Sequence, residues 1–124
     1  MELYFASLDN SDKNATGKNL ISFSIPDIGL NFKAPFAAEE MALDYASLLT
    51  LLEFVDVNPQ LFSNRALEVY CHNFDLVEQV EKKIVMDASL VPFLQKALAY
   101  RKKLNFSLNW VPRPDNPALN REID

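Results

Sequence analysis

The sequence is poor in the residues of the common catalytic and binding motifs, with one cysteine, one histidine and two glycines in 124 residues. The single cysteine, Cys71, excludes an internal disulfide and indicates a reducing compartment. No phosphate-binding glycine loop, zinc-ligand spacing or hydrolase nucleophile elbow is present. No apolar run approaches the roughly 18 to 20 residues of a membrane span, and the N-terminus has no secretory signal. We therefore expect a cytoplasmic protein that has no membrane partner.

The net charge of -5 argues against a protein that binds nucleic acid by neutralising many phosphates. The charge is uneven, however: residues 1–60 have nine acids and three bases (3 - 9 = -6), and residues 61–124 have eight acids and nine bases (9 - 8 = +1). The bases of the second half are explained by solvated helix faces that end in bases, because positive charge suits the C-terminal end of the helix dipole. The alternative is a basic nucleic-acid-binding surface. Its residues would be Lys82, Lys83, Arg101, Lys102, Lys103 and Arg113.

Length and composition predict one domain over residues 1–124, with 49% hydrophobic and 23% charged residues. Apolar and β-favouring residues predict strands at residues 1–8, 20–25 and 30–33, which short links would join as an antiparallel meander. Apolar residues at helical spacing predict a long buried helix over residues 36–57. The aromatic residues, Phe32 and Trp110 among them, mostly follow strand or helix periodicity and are predicted to belong to the core.

The second half of the chain alternates strands and helices. A strand at residues 67–71 turns directly into a helix that ends near residue 85. A further helix begins near residues 87–89, and a last strand covers residues 105–111. The predicted order is β-β-β-α-β-α-α-β, an α/β (α+β) fold with a five-stranded mixed sheet. The corner at residues 71–75 lies at the carboxyl end of the sheet, where such folds usually place their chemistry.

Three segments on these elements resemble the ribonuclease H type 1 family. The corner, HNFDLVEQV at residues 72–80, is similar to the family's DSxxVVxQV. LDYASL at residues 43–48 is similar to AEYxAL, and WVPRPDN at residues 110–116 is similar to WVPRxxN. The resemblance covers nearly the whole chain. It implies a ribonuclease H-like fold whose C-terminal helix is short or absent here.

Enzymes of that family cut the RNA strand of RNA–DNA hybrids with two Mg²⁺ ions held by four carboxylates. The resemblance places those positions at Ala6, Asp44, His72 and Asn120. Only Asp44 is acidic, so the set offers about -1 against the +4 of two ions that prefer oxygen ligands. We therefore expect no metal cofactor and a catalytically degenerate domain. It would bind RNA, DNA or RNA–DNA hybrid weakly, or a protein partner that could be a second copy.

Two alternatives keep a metal at the corner. Asp44 and His72 could hold one transition metal, although two ligands are too few for a closed site. A rebuilt carboxylate cluster would instead give a metal-dependent ribonuclease H that uses Mg²⁺. Four further acids could rebuild this carboxylate cluster: Asp9, Asp12, Asp75 and Asp115.

A nucleophilic pair of Cys71 and His72 is disfavoured because adjacent strand residues point to opposite faces.

Overall fold

The computed structural model describes residues 1–8, 19–38, 40–63 and 65–119. The five strands within these ranges form one mixed sheet in the spatial order β3-β2-β1-β4-β5. β1 and β2 pair antiparallel, as do β2 and β3, while β4 pairs in parallel with β1 and β5. The predicted meander and parallel pairs are therefore confirmed. The strands are β1 (Glu2–Leu8), β2 (Leu20–Ile25), β3 (Leu30–Pro35), β4 (Leu67–Cys71) and β5 (Phe106–Trp110).

In the described residues, four helices and several short 3-10 turns connect the strands. None of the helices in the described part of the chain has the length and apolar character that a membrane crossing requires. The last described element is the 3-10 turn Pro117–Leu119. The helices are α1 (Glu40–Val57), α2 (Pro59–Phe62), α3 (Phe74–Lys82) and α4 (Val91–Leu104).

The ends of some elements differ from the sequence prediction. The helix expected from residue 36 begins at Glu40, because Phe36 still donates its N–H to Asn19 O at 3.0 Å and so continues the β2–β3 ladder. The helix expected to reach residue 85 ends at Lys82, since Lys83 has a left-handed φ of 60°. The short helix α2 lies between the predicted helix over residues 36–57 and the predicted strand at residues 67–71, where the sequence indicated no element.

The core lies between α1 and one face of the sheet. Leu48, Leu51 and Leu52 of α1 are buried in one cluster with Phe5 of β1 and Phe23 of β2. Helices α3 and α4 contribute to the same cluster beside α1. Burying the apolar stripe of a long helix against a sheet stabilises both elements, and it places the N-terminal half of α1 beside the carboxyl end of β1.

The opposite face of the sheet has two tyrosines side by side. The rings of Tyr4 and Tyr70 stack with centroids 5.2 Å apart. Their hydroxyls donate to Glu2 at 2.6 Å and to Glu68 at 2.8 Å. Desolvation, followed by the hydrogen bond to Glu2, raises the pKa of Tyr4 to about 12. The hydrogen bond to Glu68 is the main cause that raises the pKa of Tyr70.

Ionisation of the tyrosines is expected to differ between the folded and the unfolded protein. Burial raises the pKa of Tyr45 to about 12, and the pKa of Tyr100 is also raised. Because folding favours the neutral phenols, their contribution to stability is complete below a pH of about 10. It is lost as the pH rises through about 12. Tyrosinate absorbance should therefore rise at higher pH in native than in urea-denatured protein, and Tyr45→Phe should remove one late-titrating group. Coincident titration curves would contradict this.

Candidate functional site at the strand-to-helix corner

The corner is a gap at the carboxyl end of the sheet. In the described part of the chain, β1 and β4 pair from Glu2↔Glu68 to Tyr4↔Tyr70 and then separate. β4 ends at Cys71 and α3 begins at Phe74. Asn73 is the N-cap of α3, and its Oδ1 accepts the N–H of Leu76 at 3.1 Å. Asparagine suits this position because its side chain satisfies a free N–H of the first helical turn.

Asp44 of α1 is held by hydrogen bonds at both carboxylate oxygens. Its Oδ1 accepts a hydrogen bond from Ser7 Oγ of β1. Its Oδ2 accepts one from Asn73 Nδ2 at 2.6 Å, and the same amide nitrogen lies 3.0 Å from Met41 Sδ. Asn73 therefore ties the N-terminus of α3 to α1. The carboxylate of Asp44 connects three elements of the fold.

Ser7 is the β1 residue that contacts Asp44, and Ala6 is on the other face of the strand. Successive strand residues point to opposite faces, so a shift of one residue moves a side chain across the sheet. Ala6 pairs with Ser22 of β2, whose Oγ donates to Ala118 O at 2.7 Å in the turn Pro117–Leu119. The resemblance placed the first site position at Ala6. The structure places that residue away from Asp44, beneath the C-terminal turn.

His72 contacts the segment that follows β5. Its Nε2 lies 3.3 Å from Nη1 of Arg113, and its Nδ1 lies 3.2 Å from Nδ2 of Asn116. A guanidinium can only donate, so Nε2 is the acceptor in the first contact. Asn116 is buried, and its amide orientation is set because Nδ2 donates to Phe5 O and Oδ1 accepts from Ala118 N, both at 3.0 Å. Each ring nitrogen of His72 therefore faces an N–H donor, and since a neutral imidazole accepts at one nitrogen only, the ring cannot accept a hydrogen bond from both at once.

The described side chains do not fit the two Mg²⁺ ions of the family's site. Both carboxylate oxygens of Asp44 already accept hydrogen bonds. Within the described ranges, no group of three His, Cys, Asp or Glu side chains could hold a metal ion. A single transition metal on His72 fits no better, because the positive guanidinium of Arg113 lies next to Nε2. Both Asp75 and Asp115 are exposed.

Some of the predicted site residues fall outside the part of the chain that the structure describes. They are Asp9, Asp12 and Asn120.

Cys71 lacks the environment of a reactive cysteine. Its thiol is buried in the core cluster and lies 3.6 Å from Asn73 O. Desolvation raises the pKa of the thiol to about 12, so the reactive thiolate is scarce at neutral pH. The prediction of a core cysteine is therefore supported by its burial.

Two exposed aromatic rings stand at the outer side of the corner. Phe74 is 56% exposed and Trp110 is 47% exposed. Their rings meet edge to face with centroids 6.5 Å apart. Trp110 Nε1 donates to His72 O at 3.1 Å, so the indole is held in place although half of it is open to solvent. The prediction that Trp110 belongs to the core is wrong. The sequence signal for the exposure of Phe74 was its position as the first residue of a helix, directly after the capping Asn73.

The predicted basic surface is partly neutralised by neighbouring acids. Three of its six bases form ion pairs with acids of α1 or α3. A fourth base, Arg113, contacts His72 at the corner. Exposed ion pairs contribute little to stability, but they lower the local positive charge available to a phosphate. The pairs are Lys82–Glu78 at 2.6 Å, Arg101–Glu81 at 2.8 Å and Lys103–Asp56 at 2.9 Å.

The sequence matches no protein-family model and no curated protein. The fold, however, is similar to solved ribonuclease H1 structures. LC11-RNase H1 in complex with an RNA/DNA hybrid matches with a TM-score of 0.75 at 16% identity, over 94% of this chain and 88% of that one. A second structure of LC11-RNase H1, isolated from compost by a metagenomic approach, gives 0.72 at 15% identity over 93% and 86%. Ribonuclease H1 from Halobacterium salinarum gives 0.66 at 18% identity over 94% and 89%. The chain has the ribonuclease H-like fold, as its sequence predicts.

Proposed function

We propose that this chain is a catalytically degenerate ribonuclease H-like domain that binds nucleic acid at the corner without cutting it. The observation that carries the proposal is the engagement of Asp44. One acid with both oxygens bound to Ser7 and Asn73 offers no free carboxylate cluster for two metal ions. The single cysteine supports a cytoplasmic location as part of the same proposal.

The exposed ring pair supports binding through base stacking. Every nucleobase has an aromatic face, and stacking on a protein ring contributes about 1–3 kcal/mol per base with little sequence preference. Phe74 and Trp110 offer two rings in a fixed arrangement, since the indole N–H is anchored on His72 O. Such rings are accessible to unpaired bases in preference to those inside a duplex.

Arg113 supports the same assignment through the phosphates. Its guanidinium is exposed beside His72, on the segment that directly follows Trp110 and β5. Asp75 and Asp115 lie close in sequence to Phe74 and Arg113 and are exposed, so repulsion of the backbone limits the affinity. We therefore expect weak binding to RNA or DNA that has unpaired bases. The hybrid bound by LC11-RNase H1 is consistent with a nucleic-acid ligand at this fold.

Binding without cleavage is the expected result. In fluorescence anisotropy, labelled single-stranded RNA and DNA should bind with an affinity that falls as salt rises. Trp110→Ala and Phe74→Ala should each weaken binding about tenfold, in line with the loss of one stacked base. Phe36→Ala is the matched control, because Phe36 is an aromatic outside the corner whose 42% exposure is near that of Trp110. An RNA–DNA hybrid incubated with the protein in Mg²⁺ or Mn²⁺ should stay intact.

Two outcomes would contradict the proposal separately. Hybrid cleavage that Asp44→Asn abolishes would show a metal-dependent ribonuclease H with rearranged ligands. Equal affinities for the wild type, Trp110→Ala and Phe36→Ala would show that the corner rings are not the binding surface.

A further inference from the structure

The two exposed rings of the corner are both attached to one short stretch of backbone. Trp110 Nε1 donates to His72 O at 3.1 Å, so the indole is bound to the peptide unit that joins His72 to Asn73. Phe74 follows Asn73 directly and is the first residue of α3. The centroids of the two rings are 6.5 Å apart. The arrangement of the rings therefore depends on where the backbone of residues 72–74 is held.

The side chain of Asn73 holds this stretch of backbone from two sides. Its Oδ1 accepts the N–H of Leu76 at 3.1 Å, which fixes the stretch to the first turn of α3. Its Nδ2 donates to Asp44 Oδ2 at 2.6 Å, which fixes the stretch to α1. The same Nδ2 lies 3.0 Å from Met41 Sδ, a weak acceptor. The carboxylate of Asp44 is the stronger partner because it is charged.

Asp44 offers its carboxylate from a rigid part of the fold. Its Oδ1 accepts a hydrogen bond from Ser7 Oγ of β1. The next residue of α1, Tyr45, is fully buried, and its hydroxyl donates to Gln79 Oε1 of α3 at 2.8 Å. That contact joins α1 to the second half of α3, whereas the contact of Asp44 joins α1 to the N-cap residue. The start of α3 is therefore held through Asp44.

We propose that Asp44 is a positioning residue for nucleic-acid binding. It contacts no ligand itself, and its bond to Asn73 holds the two rings in the arrangement that stacks on bases. This role rests on the proposed function, and it belongs to the carboxylate that the resemblance placed among the metal ligands. Rings that are ordered before binding bind more tightly, because the entropy of ordering them is lost on folding and not on association.

The test exchanges donor and acceptor across the bond between Asp44 and Asn73. Asn73→Asp keeps an acceptor that caps α3 but places a second carboxylate against Asp44, so the bond is lost. Asp44→Ala removes the acceptor. In the double variant Asp44→Asn with Asn73→Asp, the amide at position 44 donates to the carboxylate at position 73, which still caps α3. The double variant also keeps the net charge of the wild type.

Both single variants should bind labelled single-stranded RNA at least about tenfold more weakly in fluorescence anisotropy, as if one stacked base were lost. The double variant should recover most of the wild-type affinity. Asn73→Asp adds a negative charge and Asp44→Ala removes one, so a purely electrostatic effect on the phosphates would have opposite signs in the two variants. Weaker binding in both, with recovery in the double variant, is specific to the bond.

The single tryptophan of the chain reports the position of its ring without any nucleic acid. Acrylamide should quench Trp110 fluorescence more strongly in both single variants, because an indole released from His72 O is more open to solvent. Quenching should return to the wild-type level in the double variant. Val55→Ala is the control for lost stability, since Val55 is a buried core residue about three turns further along α1. Well below its Tm, it should change neither the RNA affinity nor the quenching.

The outcomes separate this role from the proposed function. A wild type that binds no RNA overturns the proposed function, and the positioning role with it. A wild type that binds RNA, with affinity or Trp110 quenching unchanged in the single variants, overturns the positioning role alone. So does equal weakening by Val55→Ala, because the loss would then follow stability. Circular dichroism checks folding, and Asn73→Ser, which caps a helix with a shorter side chain, replaces Asn73→Asp if that variant is unfolded.

Discussion

Asp44→Asn is expected to lower the free energy of unfolding by about 1–3 kcal/mol, a Tm decrease of several degrees in a domain of this size. The substituted amide keeps an oxygen for Ser7 Oγ. Its nitrogen then faces Asn73 Nδ2, where two donors oppose each other at the present 2.6 Å separation. The N-cap of α3 loses its tie to α1 as a result. Urea denaturation of the two proteins at neutral pH measures the difference.

The sign of this change separates a structural carboxylate from a metal-binding one. In a cluster of acids without bound metal, like-charge repulsion destabilises the fold, so neutralising one member stabilises it. Asp44 instead accepts hydrogen bonds from two neutral donors. Glu53→Gln is the matched control, because Glu53 is an exposed acid on the same helix and should change stability little. A more stable Asp44→Asn would indicate an acid cluster at the corner.

Asn116→Ala is expected to destabilise the protein more, by about 2–4 kcal/mol. The substitution leaves the carbonyl of Phe5 and the N–H of Ala118 buried without their partners, and each such group costs about 1–3 kcal/mol. It also frees the turn Pro117–Leu119 that covers Ala6 on the sheet. Thermal unfolding gives the stability, and hydrogen exchange at Ala118 should become much faster than in the wild type.

Asn116→Asp and Asn109→Ala sharpen this test. The aspartate keeps an acceptor for Ala118 N–H but has no donor for Phe5 O, so its loss of stability should be intermediate. Asn109 is a half-buried asparagine of β5 that donates to Val69 O at 3.3 Å, and its removal should cost under about 1 kcal/mol. Equal effects of Asn116→Ala and Asn109→Ala would contradict the role of Asn116 as the anchor of the C-terminal turn.

Local patterns were enough to predict most of the fold. Alternating apolar residues placed β2, and helical spacing placed α1, because both periods are properties of neighbouring residues. The start of α1 was misplaced because Phe36 continues a ladder with Asn19, a partner from another strand. The burial of Trp110 was mispredicted because alternation along a strand does not show whether another element packs on that ring, and the ring is 47% exposed.

The residue types of the candidate site were read from the sequence, but their contacts were not. The corner and Asp44 were identified, and Asp44 does lie against the N-cap of α3. On β1 the resemblance pointed to Ala6, whereas its neighbour Ser7 contacts Asp44, and in a strand one residue exchanges the two faces of the sheet. The sequence identified Arg113 as part of a basic surface. It did not predict the contact of Arg113 with His72, because the two residues are 41 positions apart along the chain. The similarity of short segments to family motifs does not predict contacts between residues that are distant in the sequence.

The sequence by itself determined the order of the elements, the single buried thiol and the scarcity of acids at the corner, because these depend on residue types and short-range periodicity. Only the tertiary structure decided what the remaining acid does. Ser7 and Asn73 are 37 and 29 residues away from Asp44 along the chain. Whether a carboxylate is free for a metal or already hydrogen-bonded depends on such distant neighbours. The packing of α1 between β1 and α3 brings them together.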